Sequence, residues 1–179
     1  MKIEDSSLLI IDVQEKLLPA MDEKEQVLDG ICRLVQGAME LRVPAMATEQ
    51  YPKGLGATVQ ELSQYYRGNL ATIAKTTFSA LEEQDVSDWV RGMNRKNILI
   101  CGMETHICVR QTALALKEMG FHPIVVADCV ASRKKYDKET ALRNMEAQGV
   151  EILTLEAVLF ELLKDAKHPS FKAISKIIK

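Results

Sequence analysis

What this sequence lacks narrows what it can be. No apolar run approaches the ~20 residues needed to cross a bilayer. The opening "MKIEDSSLLIIDVQ" sets acidic residues ahead of a short apolar block that ends at Asp12, so neither a signal peptide nor a membrane anchor is expected. Positive charge is not in excess: 23 Lys and Arg against 25 Asp and Glu leave a formal net charge of -2. That balance gives no electrostatic footprint for nucleic acid or an anionic membrane. The one basic cluster, "SRKKYDK" at 132–138, is diluted by Asp137 and reads as a solvated turn. The four cysteines form no C-x-x-C pair and no small secreted framework, which points to free thiols in a reduced, cytoplasmic setting. Only three histidines exist, and none is spaced with a second His or a carboxylate as metal ligands are. Neither a metal nor another cofactor is expected, and His168, beside Pro169, reads as a surface residue.

What is present is the size and patterning of one domain spanning 1–179. At 179 residues and 47% hydrophobic, such a chain buries roughly 70% of its unfolded surface. No repeat, low-complexity tract or linker divides it. Three short apolar runs end in a polar residue or Gly: "LLIID" at 8–12, "ILICG" at 98–102 and "IVVAD" at 124–128. Continuous apolarity over four or five residues fits strands covered on both faces, the pattern of a parallel sheet. Weaker strand candidates are "PAMATEQ" at 44–50, "LATIAKT" at 70–76 and "EILTL" at 151–155. Helical spacing fills the gaps, as in Val27, Ile31, Leu34, Val35, Ala38 and Leu41, with Gly120 and Gly149 at C-cap positions before the next strand. Alternating strands and helices with right-handed crossovers predict a parallel sheet between helical layers.

In open α/β sheets the ligand crevice lies beyond the carboxyl ends of the strands. Asp12, Lys75, Cys108 and Asp128 all fall at or just past such ends. Taken singly, Asp12 and Asp128 read as helix or turn caps and Lys75 as a solvated side chain. Cys108 alone is open to four readings: buried hydrophobe, half of a disulfide, metal ligand or nucleophile. Together, a carboxylate, an amine and a thiol on one rim are what nucleophilic catalysis by cysteine needs. Thr105 is a plausible N-cap, which would set Cys108 at the third helical position, where the helix dipole lowers a thiol pKa.

The stretches "LLIIDVQEKL", "ATEQYPKGLG", "AKTTFSAL", "CGMETHICVRQTALALKEMGF" and "VVADCVASR" resemble, in order, the motifs of the isochorismatase-like cysteine hydrolases, in the branch of isochorismatase domain-containing proteins. The likeness is nearly collinear from about residue 6 onward. It implies a three-layer α/β/α sandwich with a six-stranded parallel, Rossmann-like sheet, a catalytic triad of Asp12, Lys75 and Cys108, and a homo-oligomer. It also implies a non-proline cis peptide between Met103 and Glu104, with the amides of Glu104 and Cys108 forming an oxyanion hole. Nicotinamidases of the superfamily bind a metal through Asp-x-His after the second strand, where this chain reads "TEQYPKGLG", so that site is missing. Isochorismatases proper generally lack the cysteine that is present here. Cleavage of a small amide or related C–N bond through an acyl-enzyme is therefore the expected activity, on a small-molecule substrate.

Gln14, Glu49, Gln50, Tyr51, Phe78, Thr105 and His106 are expected to line the pocket, with core packing an equal alternative for Tyr51 and Phe78. Cys101 and Cys129 read as inert packing. Two further functions stay open: a thiol redox protein, which would need a resolving cysteine, and a catalytically idle oligomeric module, which would need a broken triad. The tail "FKAISKIIK" puts Phe171, Ile174, Ile177 and Ile178 at helical spacing, predicting a terminal helix docked on the chain's own core or on a neighbouring subunit.

Overall fold

The computed structural model describes residues 1–66 and 70–179. In chain order the elements are β1 (Ser6–Ile11), α1 (Lys24–Glu40), β2 (Ala45–Gln50), α2 (Pro52–Leu55), α3 (Gln60–Ser63), β3 (Ala71–Lys75), α4 (Gln84–Gly92) and β4 (Asn97–Met103). They continue with α5 (Arg110–Glu118), β5 (His122–Ala131), α6 (Lys135–Ala147), β6 (Glu151–Leu153), α7 (Leu155–Leu163) and α8 (Phe171–Ile178). The six strands form one parallel sheet in the order β3-β2-β1-β4-β5-β6. Every expected strand is present, and β5 runs longer than its apolar core, through a register irregularity opposite Ile100 and Gly102.

Period-two alternation assigns the two faces. Leu8, Ile10, Leu99, Cys101, Ile124 and Val126 pack with α1, α7 and α8. Leu9, Ile11, Ile98, Ile100 and Val125 pack with Val86 and Val90 of α4, Ala113 and Leu116 of α5 and Met145 of α6. Leu8 to Ile11 are all fully buried, so β1 is the spine of both cores. At about 1.5–3 kcal/mol per buried aliphatic side chain, this explains why the run is apolar without interruption. The α/β/α sandwich expected from the sequence is thus the observed architecture.

The chain adds β2 and β3 on one side of β1 and then crosses to β4 on the other. Strand order therefore reverses between β1 and β4, and the crevice above that reversal is where such sheets bind ligands. Gly102, with φ of +114°, lies there: a Cβ at this position would collide with the Ile11 carbonyl oxygen. Only glycine lets the end of β4 lie this close to the end of β1.

The terminal helix docks on the chain's own core. Ile174 is fully buried, Phe171 meets Phe160 edge to face at 6.1 Å, and Arg33 Nη1 of α1 donates to the Ile178 carbonyl at 3.0 Å. Ile174→Ala is expected to lower unfolding free energy by about 2–4 kcal/mol, measured by urea denaturation, through the lost burial and the cavity left behind. A change under half a kcal/mol would show that α8 is not part of the folded core.

Candidate active site

Asp12 follows β1 directly, with a left-handed φ of 52° that aspartate tolerates better than most residues. Its amide donates to the Thr48 carbonyl at 3.1 Å, and its Oδ1 accepts from Thr48 Oγ1 at 2.7 Å. Lys75 ends β3, two strands away. Two strand spacings are about 9.5 Å, so the aliphatic stem of a lysine is needed to bring a charge across the end of β2. Its ammonium lies 2.7 Å from Asp12 Oδ2, with both side chains inaccessible to solvent. That ammonium is the only partner of Oδ2 among the described residues. It also donates to Gln50 Oε1 at 2.6 Å and to the carbonyls of Thr77 at 3.1 Å and Phe78 at 3.4 Å.

Cys108 comes from the far side of the switch point, past the end of β4. The Met103–Glu104 peptide bond is cis, and Thr105–Val109 form a π-helical turn leading into α5. Thr105 is not the cap: Glu104 takes that position, and Cys108 is the fourth helical residue rather than the third. The Thr105 hydroxyl is buried without a partner among the described residues. The thiol also departs from expectation. Burial pushes Cys108 up to about 12, the negative charge of Asp12 and hydrogen bonding to it push the same way, and Lys75 opposes both. Desolvation outweighs dipole and ammonium together, because a thiolate here would leave water for a site that already holds a carboxylate. The resting site is therefore a neutral thiol beside a closed ion pair.

The other expected pocket residues divide into two groups. Gln14 is fully buried and spent on the chain: Oε1 accepts from the Gln50 amide at 2.8 Å, and Nε2 donates to the carbonyls of Gln50 at 3.0 Å and Gly56 at 2.7 Å. Glu49 Oε1 accepts from the amide and hydroxyl of Thr58, at 2.6 and 2.8 Å, and Gln50 is bonded at both ends of its amide. These three tie down the 51–58 loop and Lys75. Tyr51 and Phe78 are more than half exposed, which excludes core packing for either. Tyr51 borders a cavity of about 390 Å³ that it shares with Pro52, Lys53, Ala74, Lys75, Thr76 and Glu83. His106 Nδ1 lies 2.9 Å from Ser132 Oγ, and the buried Glu104 carboxylate accepts from Arg133 Nε at 2.9 Å.

Asp128 stands apart. It lies within β5 rather than at its end, its carboxylate accepts from the Leu155 amide at the start of α7 at 2.7 Å, and it borders a cavity of about 550 Å³ whose lining contains none of Asp12, Lys75 or Cys108. Sequence reasoning missed Thr48, Ser132 and Arg133. Thr48 alone carried a signal, as a hydroxyl near the end of a strand beside β1, but its pairing with Asp12 depends on register.

The sheet order, the two helical layers and a thiol beside a buried ion pair at the switch point define an α/β/α hydrolase fold. The isochorismatase domain model matches residues 6–157, and the chain belongs to that family. Isochorismatase domain-containing protein 2 of Danio rerio is 39% identical over 173 residues, which are 97% of this chain and 86% of that protein. The structure of MAR1 ribonuclease from Caenorhabditis elegans superposes with a TM-score of 0.94 at 34% identity, covering 99% of this chain and 91% of that one. The YcaC gene product of Escherichia coli, described as an octameric hydrolase of unknown specificity, gives a TM-score of 0.94 at 24% identity, with 99% and 88% covered, a likeness that speaks for the fold alone. Among the described residues no helix is long and apolar enough to cross a membrane.

All four thiols are held above the ordinary value of 9.0, Cys32 at about 11 and Cys108 at about 12, each chiefly by burial. A group whose folded pKa is raised contributes stability that is complete below the unfolded value and lost as pH rises toward the folded one. Urea midpoints are therefore expected to fall steeply between about pH 9 and 11–12, and replacing Cys32 with Ala should make that fall shallower. A flat profile across this window would contradict the burial of the thiols.

Proposed function

We propose that this chain, working as one domain over 1–179, is a cysteine-dependent hydrolase of a small amide or related C–N bond. The observation that carries the reading is the solvent-inaccessible Asp12–Lys75 pair whose two charges both bear on Cys108. In the proposed cycle the Cys108 proton passes to Asp12 as the sulfur attacks the carbonyl carbon. A neutral resting thiol is compatible with this, because the transfer occurs during attack rather than before it. Lys75 holds the carboxylate in place and offsets the negative charge that develops. The amides of Glu104 and Cys108, on either side of the turn that follows Met103, are the proposed donors to the oxyanion, a contribution worth about 3–4 kcal/mol per donor in such sites. Collapse breaks the C–N bond, and the leaving nitrogen takes the proton from Asp12. Water then attacks the thioester, Asp12 accepts the water's proton, and cleavage of the S–C bond with return of that proton restores the thiol.

Tyr51, Phe78, Thr105 and His106 are the proposed contacts to substrate. Gln14, Glu49 and Gln50, although named with them, support the site from behind. The reaction as written needs neither metal nor cofactor. A reduced compartment suits a nucleophilic thiol, and a homo-oligomer is proposed with it.

The test is ammonia release from a panel of small primary amides, ureides and carbamates. On the best substrate, Cys108→Ala and Asp12→Asn should each lose about 10³-fold or more in turnover while remaining folded, and EDTA should leave the wild type unchanged. A brief quench should yield Cys108 carrying the acyl group by mass spectrometry. Normal turnover in Cys108→Ala would overturn the proposal. So would a wild type that cleaves RNA, the activity in the name of the nematode protein, and no amide.

A further inference from the structure

Gln50 and Lys75 are register partners at the ends of β2 and β3. The Gln50 carboxamide oxygen accepts from the Lys75 ammonium at 2.6 Å, and its amide nitrogen donates to the Thr76 carbonyl at 2.8 Å. Chemistry fixes that orientation: turned over, the group would set an N–H donor against an ammonium and a carbonyl oxygen against a carbonyl oxygen. The backbone is held as well, with the Gln50 N–H donating to Gln14 Oε1 at 2.8 Å and its carbonyl accepting from Gln14 Nε2 at 3.0 Å.

The ammonium has three protons to place in a site without solvent. Asp12 Oδ2 lies 2.7 Å away as its ion-pair partner, and its hydrogen bonds go to Gln50 and to the carbonyls of Thr77 and Phe78. Asp12 is its sole anionic partner among the described residues. Glu83, at the N-cap of α4, stops at the Thr76 amide (3.4 Å) and the Thr77 hydroxyl (3.1 Å), Glu49 is engaged by Thr58, and Glu104 by Arg133. The charges that bear on Cys108 are Asp12, from the end of β1, and Lys75, from β3.

We infer that Gln50 is a positioning residue: a neutral acceptor that holds the Lys75 ammonium on Asp12, so that the pair stays balanced in front of the Cys108 thiol. The inference rests on the reading of Cys108 as nucleophile and deepens it. A carboxylate in the same place would set the ammonium between two anions and leave a net negative charge beside the thiol, which makes ionisation harder. A hydrocarbon would strip one proton of the ammonium of its acceptor and loosen its hold on Asp12.

The experiment is iodoacetamide labelling of Cys108, followed by peptide mass spectrometry from about pH 7 to 10, in the wild type, Gln50→Glu and Gln50→Leu. Cys32 of α1, which faces Asp29 on the same helix and Glu61 of α3, serves as the internal reference. Gln50→Glu is expected to slow Cys108 labelling about tenfold at every pH, the effect of a one-unit rise in thiol pKa. Cys32 labelling should be unchanged, and Gln50→Leu should give a smaller drop. Equal Cys108 rates in all three proteins would overturn the inference, as would a change that Cys32 shares, which marks a structural role only. Should Gln50→Glu fail to fold, Gln50→Leu decides alone: a wild-type rate there sinks the inference. A wild-type Cys108 that labels at no pH sinks the nucleophile reading and the inference with it, whereas a reactive wild type with indifferent variants sinks the inference only.

Discussion

A carboxylate and an ammonium without solvent access, 2.7 Å apart, constrain everything around them. Desolvating two ions is expensive, and their attraction repays that cost only where the geometry is close and the remaining lone pairs and protons find partners. The chain meets this condition through Thr48 on Asp12 and through Gln50 with the Thr77 and Phe78 carbonyls on Lys75. Those partners sit at the ends of β2 and β3 or just beyond. The pair therefore ties the carboxyl ends of β1, β2 and β3 together at the place where the apolar runs stop.

The same constraint sets the state of Cys108. Charge in the pair is already cancelled, so the thiol gains little from Lys75 that Asp12 does not take back, and burial then decides the outcome in favour of the neutral form. The close approach of β4 to β1 at Gly102 brings the turn carrying Cys108 toward the pair.

Much of the fold is legible because strands covered on both faces leave continuous apolar runs, as in "LLIID", "ILICG" and "IVVAD". Asp12, Lys75 and Cys108 could be named because strand ends in an alternating α/β chain converge on one rim. Convergence does not discriminate among residues: Asp128 follows a similar apolar run, yet it lies within β5 and accepts from the first amide of α7. Register is illegible, so the Thr48–Asp12 bond leaves no trace in the sequence, and Gln14, Glu49 and Gln50 read as ligand contacts although their side chains are bonded to the chain. Thr105 resembled a cap because the sequence does not announce a π-helical turn. The direction of the thiol shift is not legible, because dipole and ammonium are visible in a sequence and the depth of burial is not. The tail's own pattern left its docking partner open, and only the packing of Ile174 and the bond from Arg33 decided for the chain's own core.

The account stands or falls on the pair, and a double-mutant cycle on stability tests it most directly. Asp12→Asn and Lys75→Met each leave a buried charge without its counter-ion, and each is expected to cost about 3–5 kcal/mol in urea denaturation. The double variant, with neither charge, should cost about 2–3 kcal/mol less than the sum of the two single losses, which is the coupling of the pair. Additive losses, or single variants as stable as the wild type, would show that Asp12 and Lys75 are not a mutually dependent buried pair and would contradict the account.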